Sequence, residues 1–149
     1  MMSFRRKARE LALQLLFQVD FTGQPITISP SFWTENEASP SIKSFTELLV
    51  QGVVKHLPEI DRTIEKYAQH WSPDRMAAID RNILRFGIFE LLYLKDIPPK
   101  VTINEAIEIA KKFGSEDSGG FVNGILDRVY RDQAPFESEE VEGVTEGTG

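Results

Sequence analysis

Four positive charges, Arg5, Arg6, Lys7 and Arg9, precede the first acid of the chain, Glu10. Guanidinium and ammonium groups gathered in this way suit phosphate oxygens, which they neutralise with release of counterions. A short basic run is equally at home as a solvated helix end. The cluster opens a helix, where the macrodipole disfavours cations by a few tenths of a kcal/mol, and that local violation hints at function. Other chemistry is thinly supplied. There is no cysteine, which excludes disulfides, thiolate metal sites and cysteine nucleophiles. His56 and His70 have no acidic or histidine cluster at ligand spacing, so each is read as a surface or cap residue. No nucleophile is paired with a base, and Gly119-Gly120 lies in a helical context and not after a strand. The expectation is a binding protein with no catalytic residues, no metal and no cofactor.

Two further positions carry a message. Glu90 projects into an apolar helical stripe of Ile79, Ile83, Phe86 and Leu94. A carboxylate there must be paired internally with a cation, protonated or facing a partner, because a lone buried charge costs several kcal/mol. The internal pair and the partner-facing anion both stand on the pattern alone. In the last apolar segment, Asn123, Asp127 and Arg131 form a polar row at i, i+4 spacing, a solvated edge in the plainer reading. Gly124 lies within that helix and is expected to permit close packing.

The elements that position these residues are all helical, since no segment shows sustained alternation. With Ser3 as N-cap, a first helix runs to about Phe21. Its face of Ala8, Leu11, Ala12, Leu15 and Val19 turns inward, and Leu13, Phe17 and Phe21 lie on the other side. That second stripe is either sandwiched by neighbouring helices or exposed beside the arginines. Residues 23–40, rich in Pro, Ser and Thr, read as a long loop. Helices follow from about Ser41 to His56 and from Pro58 to Ala68, then a short one at Ser72-Pro73. A helix that is apolar almost all round, Ile79 to Lys95, belongs at the centre. Thr102 and Glu105 fit a capping box for a helix ending at Gly114, and a last helix runs from about Ser118 to Arg131.

Length bounds the chain to one domain, or two small subdomains sharing a core, and 41% hydrophobic residues suffice for a packed interior. The net charge of -6 is unevenly placed: Glu137, Glu139, Glu140, Glu142 and Glu146 lie in a terminal segment with no base, and without them it falls to -1. The organisation expected is a folded unit over 1–136 and an acidic, disordered tail over 137–149. No apolar run of signal-peptide or membrane-spanning type is present, so a cytoplasmic protein without a membrane partner is expected.

Several of these segments together resemble the NusB family of transcription antitermination factors. They are Arg5-Arg6-Lys7-Ala8-Arg9-Glu10 with Gln14 and Phe17, Ile83-Leu84-Arg85 with Glu90-Leu91, Asn104-Glu105-Ala106-Ile107-Glu108, and Phe121-Val122-Asn123-Gly124-Ile125-Leu126-Asp127. The resemblance spans residues 3 to about 131 in order. It implies an all-α fold of two small helical bundles packed into one compact domain. It also implies binding of the boxA element of nascent ribosomal RNA together with the ribosomal protein NusE, which helps RNA polymerase read through terminators. On the matching positions it implies RNA contacts by Arg5, Arg6, Arg9, Gln14 and Asp127, and contacts with NusE by Phe17 and Glu90. A homodimer is a further state that some relatives adopt, and the Leu13/Phe17/Phe21 stripe would suit it. Where many members carry a basic residue before Phe-Val-Asn-Gly, this chain has Gly119-Gly120, which removes an RNA contact if that residue makes one. Similar domains precede ribosomal RNA methyltransferases, but the α/β nucleotide-binding unit those enzymes need has no counterpart here. The rival to RNA binding is a protein-interaction module whose arginines merely face water.

Overall fold

The computed structural model describes residues 4–22, 26–69 and 73–148, with side chains described as far as residue 133 except at 21 and 22. Seven α-helices follow in order: α1 (Phe4–Thr22), α2 (Pro30–Glu35), α3 (Pro40–Lys55), α4 (Leu57–Tyr67), α5 (Ala78–Tyr93), α6 (Pro99–Phe113) and α7 (Ser118–Thr148), with a 3-10 turn at Pro73–Arg75 before α5. No strand occurs among the described residues. Ser3, His70, Ser72 and the Phe21 side chain, all used in the sequence reading, lie outside what is described.

Helix α5 organises the whole. Its residues from Asn82 to Glu90 are all buried except Arg85, as an all-round apolar helix must be. On one side it packs against α1 and α3, and on the other against α6 and α7, with α4 alongside. This gives two helical groups sharing one core. Two close approaches fix the spacing. A Cβ on Gly52 would fall 2.1 Å from the tip of the Phe89 ring, so α3 and α5 can meet only because Gly52 has no side chain. A Cβ on Gly87 would lie 3.0 Å from a Leu126 methyl, which sets α7 close to α5. Gly124 does not have the packing role expected of it, since nothing stands within 4 Å of its Cβ position. It is exposed on the outer face of α7.

Three boundaries differ from expectation for identifiable reasons. The segment read as a loop contains α2: Ser29-Pro30 is a cap followed by proline at the first helical position, the same signal as at Ser72-Pro73. Trp33 anchors this helix in the body, and Asn36 ends it by donating to the Phe32 carbonyl at 2.8 Å before Glu37 turns at φ 51°. Helix α6 begins at Pro99 rather than at the Thr102 capping box. Proline pre-sets φ for the first turn, and Thr102 and Glu105 are thereby freed for other contacts. Helix α7 continues past Arg131, the end expected for it, to Thr148. The side chains of the acidic segment 137–149 lie outside the described residues. His56 serves as a cap at the α3–α4 corner, its ring stacked 4.1 Å from that of Tyr93.

Candidate nucleic-acid interface

Helix α1 sets the site because it presents the basic cluster on one turn and the core face on the next. Ala8, Leu11, Ala12, Leu15 and Leu16 are buried, and so is Leu13. The helix is therefore sandwiched, and of the described part of the second stripe only Phe17 is exposed, at 40%.

The three arginines have three different fates. Arg9 is buried, and its guanidinium forms a two-pronged pair with Glu90, Nε to Oε2 at 2.8 Å and Nη2 to Oε1 at 2.7 Å. The Thr102 hydroxyl donates to the same Oε1 at 2.8 Å. This arrangement corrects two expectations at once. Arg9 does not present a cation to RNA, and Glu90 does not face a protein partner. Each charge is buried on the apolar face of its own helix, and each satisfies the other. Arg6 is half-exposed and donates from Nε and Nη2 to the two oxygens of Glu105 at 2.8 and 2.5 Å. Those hydrogen bonds, more than the charge of Glu105 alone, raise the Arg6 pKa above its ordinary value. The same bonds hold the Glu105 carboxyl below the ordinary range, against the opposing effect of burial. Arg5 has no carboxylate partner among the described residues. Its guanidinium lies 5.3 Å from the centre of the Phe45 ring and 5.7 Å from that of Phe4, and its Nε is buried without a hydrogen-bond partner.

Gln14 and Phe17 come together in a groove of about 580 Å³ with Lys7, Leu13, Ile79 and Phe113. A residue expected on the RNA side and one expected on the protein side thus share one surface. Asp127 lies on α7, which packs against α4, α5 and α6 rather than beside the basic end of α1. It accepts from Arg131 Nε at 2.9 Å, one turn along. Of the glycine pair before Phe121, Gly119 is buried against the side chains of Lys111 and Ile107 on α6, whereas Gly120 meets open space.

Sequence reasoning missed a second polar cluster. Arg81 donates from Nε and Nη2 to Asp20 Oδ2, and from Nη1 to the carbonyls of Pro73 and Met76. Arg85 pairs through both prongs with Asp61 at 2.9 Å and reaches Asp20 Oδ1 at 3.4 Å. Burial pushes the Asp20 carboxyl up, but the two arginines outweigh it and hold its pKa below the ordinary value. The i, i+4 spacing of Arg81 and Arg85 was the available signal, though nothing in sequence ties it to an acid sixty positions upstream. The cluster ties α1 and α4 to α5, and so supports the helix that presents the basic end.

With this geometry in hand, the similarities to known proteins are direct. The NusB family matches residues 6–131. The transcription antitermination protein NusB of Thermodesulfovibrio yellowstonii is 45% identical over 140 residues, covering 87% of this chain and 93% of its own. Its namesake from Myxococcus xanthus is 49% identical over 133 residues, covering 86% and 95%. Among solved structures, NusB of T. maritima superposes with a TM-score of 0.81 at 40% identity, over 94% of this chain and 99% of that one. A crystal structure of the antitermination factors NusB and NusE in complex with dsRNA matches with a TM-score of 0.75 at 33% identity, over 89% of this chain and 99% of that one. The match covers α1 through the buried part of α7, and on that ground the chain belongs to the NusB family.

Proposed function

We propose that this chain is a cytoplasmic transcription antitermination factor that binds boxA RNA of nascent ribosomal transcripts together with NusE and promotes read-through by RNA polymerase. The observation that carries the reading is its likeness to the solved assembly of NusB and NusE with RNA, at 33% identity over 89% of this chain. The guanidinium of Arg5, which has no described carboxylate partner, stands beside half-exposed Arg6 and supports it, because cations on one helix end suit phosphate contacts. On the RNA side the reading keeps Arg5, Arg6, Gln14 and Asp127, and on the NusE side Phe17. Arg9 and Glu90 become the frame that holds α1 to α5. The role is one of binding, without a catalytic step. No helix of the described residues is long and apolar enough to cross a membrane, in keeping with a factor that works on transcripts. A homodimer through the Phe17 groove would be a state that competes with NusE for that surface.

The test is titration of boxA RNA with the full chain, with and without NusE, across a range of salt. Phosphate contacts impose a negative slope of log affinity on log salt, of about 0.7 per contact for single strands. Binding that tightens with NusE and weakens steeply with salt is the expected result. Salt-independent binding of NusE without RNA binding would leave a protein-interaction module instead.

A further inference from the structure

We propose that the cleft between the start of α1 and the first two turns of α3 is a nucleotide subsite. Arg5, Ser41 and Ser44 hold a phosphodiester group of single-stranded RNA there, and the exposed ring of Phe4 receives a neighbouring base. The inference rests on the RNA-binding reading above and extends it to a helix that carries none of the motifs singled out in the sequence.

The cleft measures about 410 Å³, and its lining includes Phe4, Arg5, Ser41, Ser44, Phe45 and Leu48. Three observations point to an anionic, partly aromatic ligand. Arg5 is the one arginine of the N-terminal three without a carboxylate among the described residues, and its buried Nε has no acceptor. The Arg5 guanidinium, set against the Phe45 ring, is thus a cation of the cleft wall that no described carboxylate neutralises. Ser41 and Ser44 are exposed and line the cleft, where their hydroxyls can donate. Standing three apart on α3, they share a face. Ser39, by contrast, uses its hydroxyl to cap the helix by accepting from the Ile42 N–H. The lining therefore offers donors and no carboxylate, which matches a ligand whose oxygens only accept.

Beside the cation lies apolar surface: Phe4 is 46% and Leu48 45% exposed. A cation that tracks the backbone next to a ring that stacks a base is the pairing that single-stranded nucleic-acid sites use. That ring is what favours a nucleotide over an acidic peptide, which would satisfy Arg5 but leave Phe4 bare.

The experiment is fluorescence anisotropy with single-stranded boxA RNA and full-length variants, each checked for an unchanged melting temperature. Ser41→Ala/Ser44→Ala should weaken binding about tenfold through two lost hydrogen bonds. Its salt slope should match the wild type, because hydroxyls release no counterions. Arg5→Gln should weaken binding and reduce the slope by about 0.7, one phosphate contact. Phe4→Ala should weaken binding about tenfold with the slope kept. Ser31→Ala, on α2, should behave as the wild type. If the wild type binds RNA and the double serine variant stays within about twofold of it, less than one hydrogen bond's effect, the subsite is wrong and the RNA-binding reading survives. Loss of NusE binding alone in these variants would assign the cleft to protein and overturn the proposal. A wild-type chain that binds no RNA would overturn the reading itself.

Discussion

Arg9 on α1 and Glu90 on α5 meet as a two-pronged ion pair in the protein interior, at 2.7 and 2.8 Å, with both side chains no more than 1% exposed. Arg9 Nη1 also lies 3.7 Å from Glu105, so the pair is the inner end of a chain of charges that surfaces at Arg6. Glu90→Gln keeps the size of the side chain and strands the buried cation. It should destabilise the fold by roughly 3–5 kcal/mol, read by urea unfolding. NusE binding should then fall only in proportion to the unfolded fraction. A variant that unfolds like the wild type yet loses NusE would return Glu90 to the partner surface.

Acid should weaken the same framework. Asp20 and Glu105 have folded pKa values below their ordinary 3.8 and 4.5, held there by arginine hydrogen bonds and charge against the opposing effect of burial. A depressed carboxyl contributes stability that is fully present above its unfolded pKa and is lost as the pH falls through the folded one. The urea midpoint should therefore hold steady down to about pH 5 and decline below it. Asp20→Asn with Glu105→Gln lowers stability throughout and should flatten that decline. An undiminished acid slope in the double variant would place its origin in other groups.

The fold was readable because apolar period and cap chemistry agree along most of the chain. The α5 segment from Ile83 to Phe89 can only be central, and Pro58, Pro98 and Gly114 punctuate their neighbours. Pairings across helices were not readable. Glu90 shows as an anomaly in its own helix, but the cation that resolves it lies 81 positions earlier, on a turn that looks like an RNA-binding cluster. Sequence spacing reports which residues share a face and not which face a second helix will meet. For the same reason the arginines looked alike until α6 brought Glu105 to Arg6 while Arg5 met the Phe45 ring and no described carboxylate.

The glycines give a contrasting pair of mutations. Gly52→Ala places a methyl group into the Phe89 ring, whose position is fixed by stacking near Tyr93 and His56. Overpacking at such a contact should destabilise by about 1–3 kcal/mol. Gly124→Ala meets open space within a helix, and should stabilise by up to about 1 kcal/mol through helix propensity. Thermal unfolding of both variants checks this, and an inversion of their order would contradict the packing described for α3 and α5.

The acidic terminus is expected to be dispensable for folding and unfavourable for RNA. Helix α7 is anchored by Val122, Ile125, Leu126 and Val129, all buried and all before Gln133. The segment 137–149 contributes five glutamates, two valines and no base, a composition with little apolar surface to bury against the cost of ordering. A chain ending at Phe136 should melt at nearly the temperature of the full chain. Removing five negative charges should also speed and tighten RNA association at low salt, because a nearby polyanion repels another. That gain should shrink as salt rises, with the screening length falling to about 8 Å at physiological ionic strength. Differential scanning calorimetry and RNA titration at two salt concentrations check both parts. A large drop in melting temperature on truncation would show that the terminus docks on the helical body and helps to hold it.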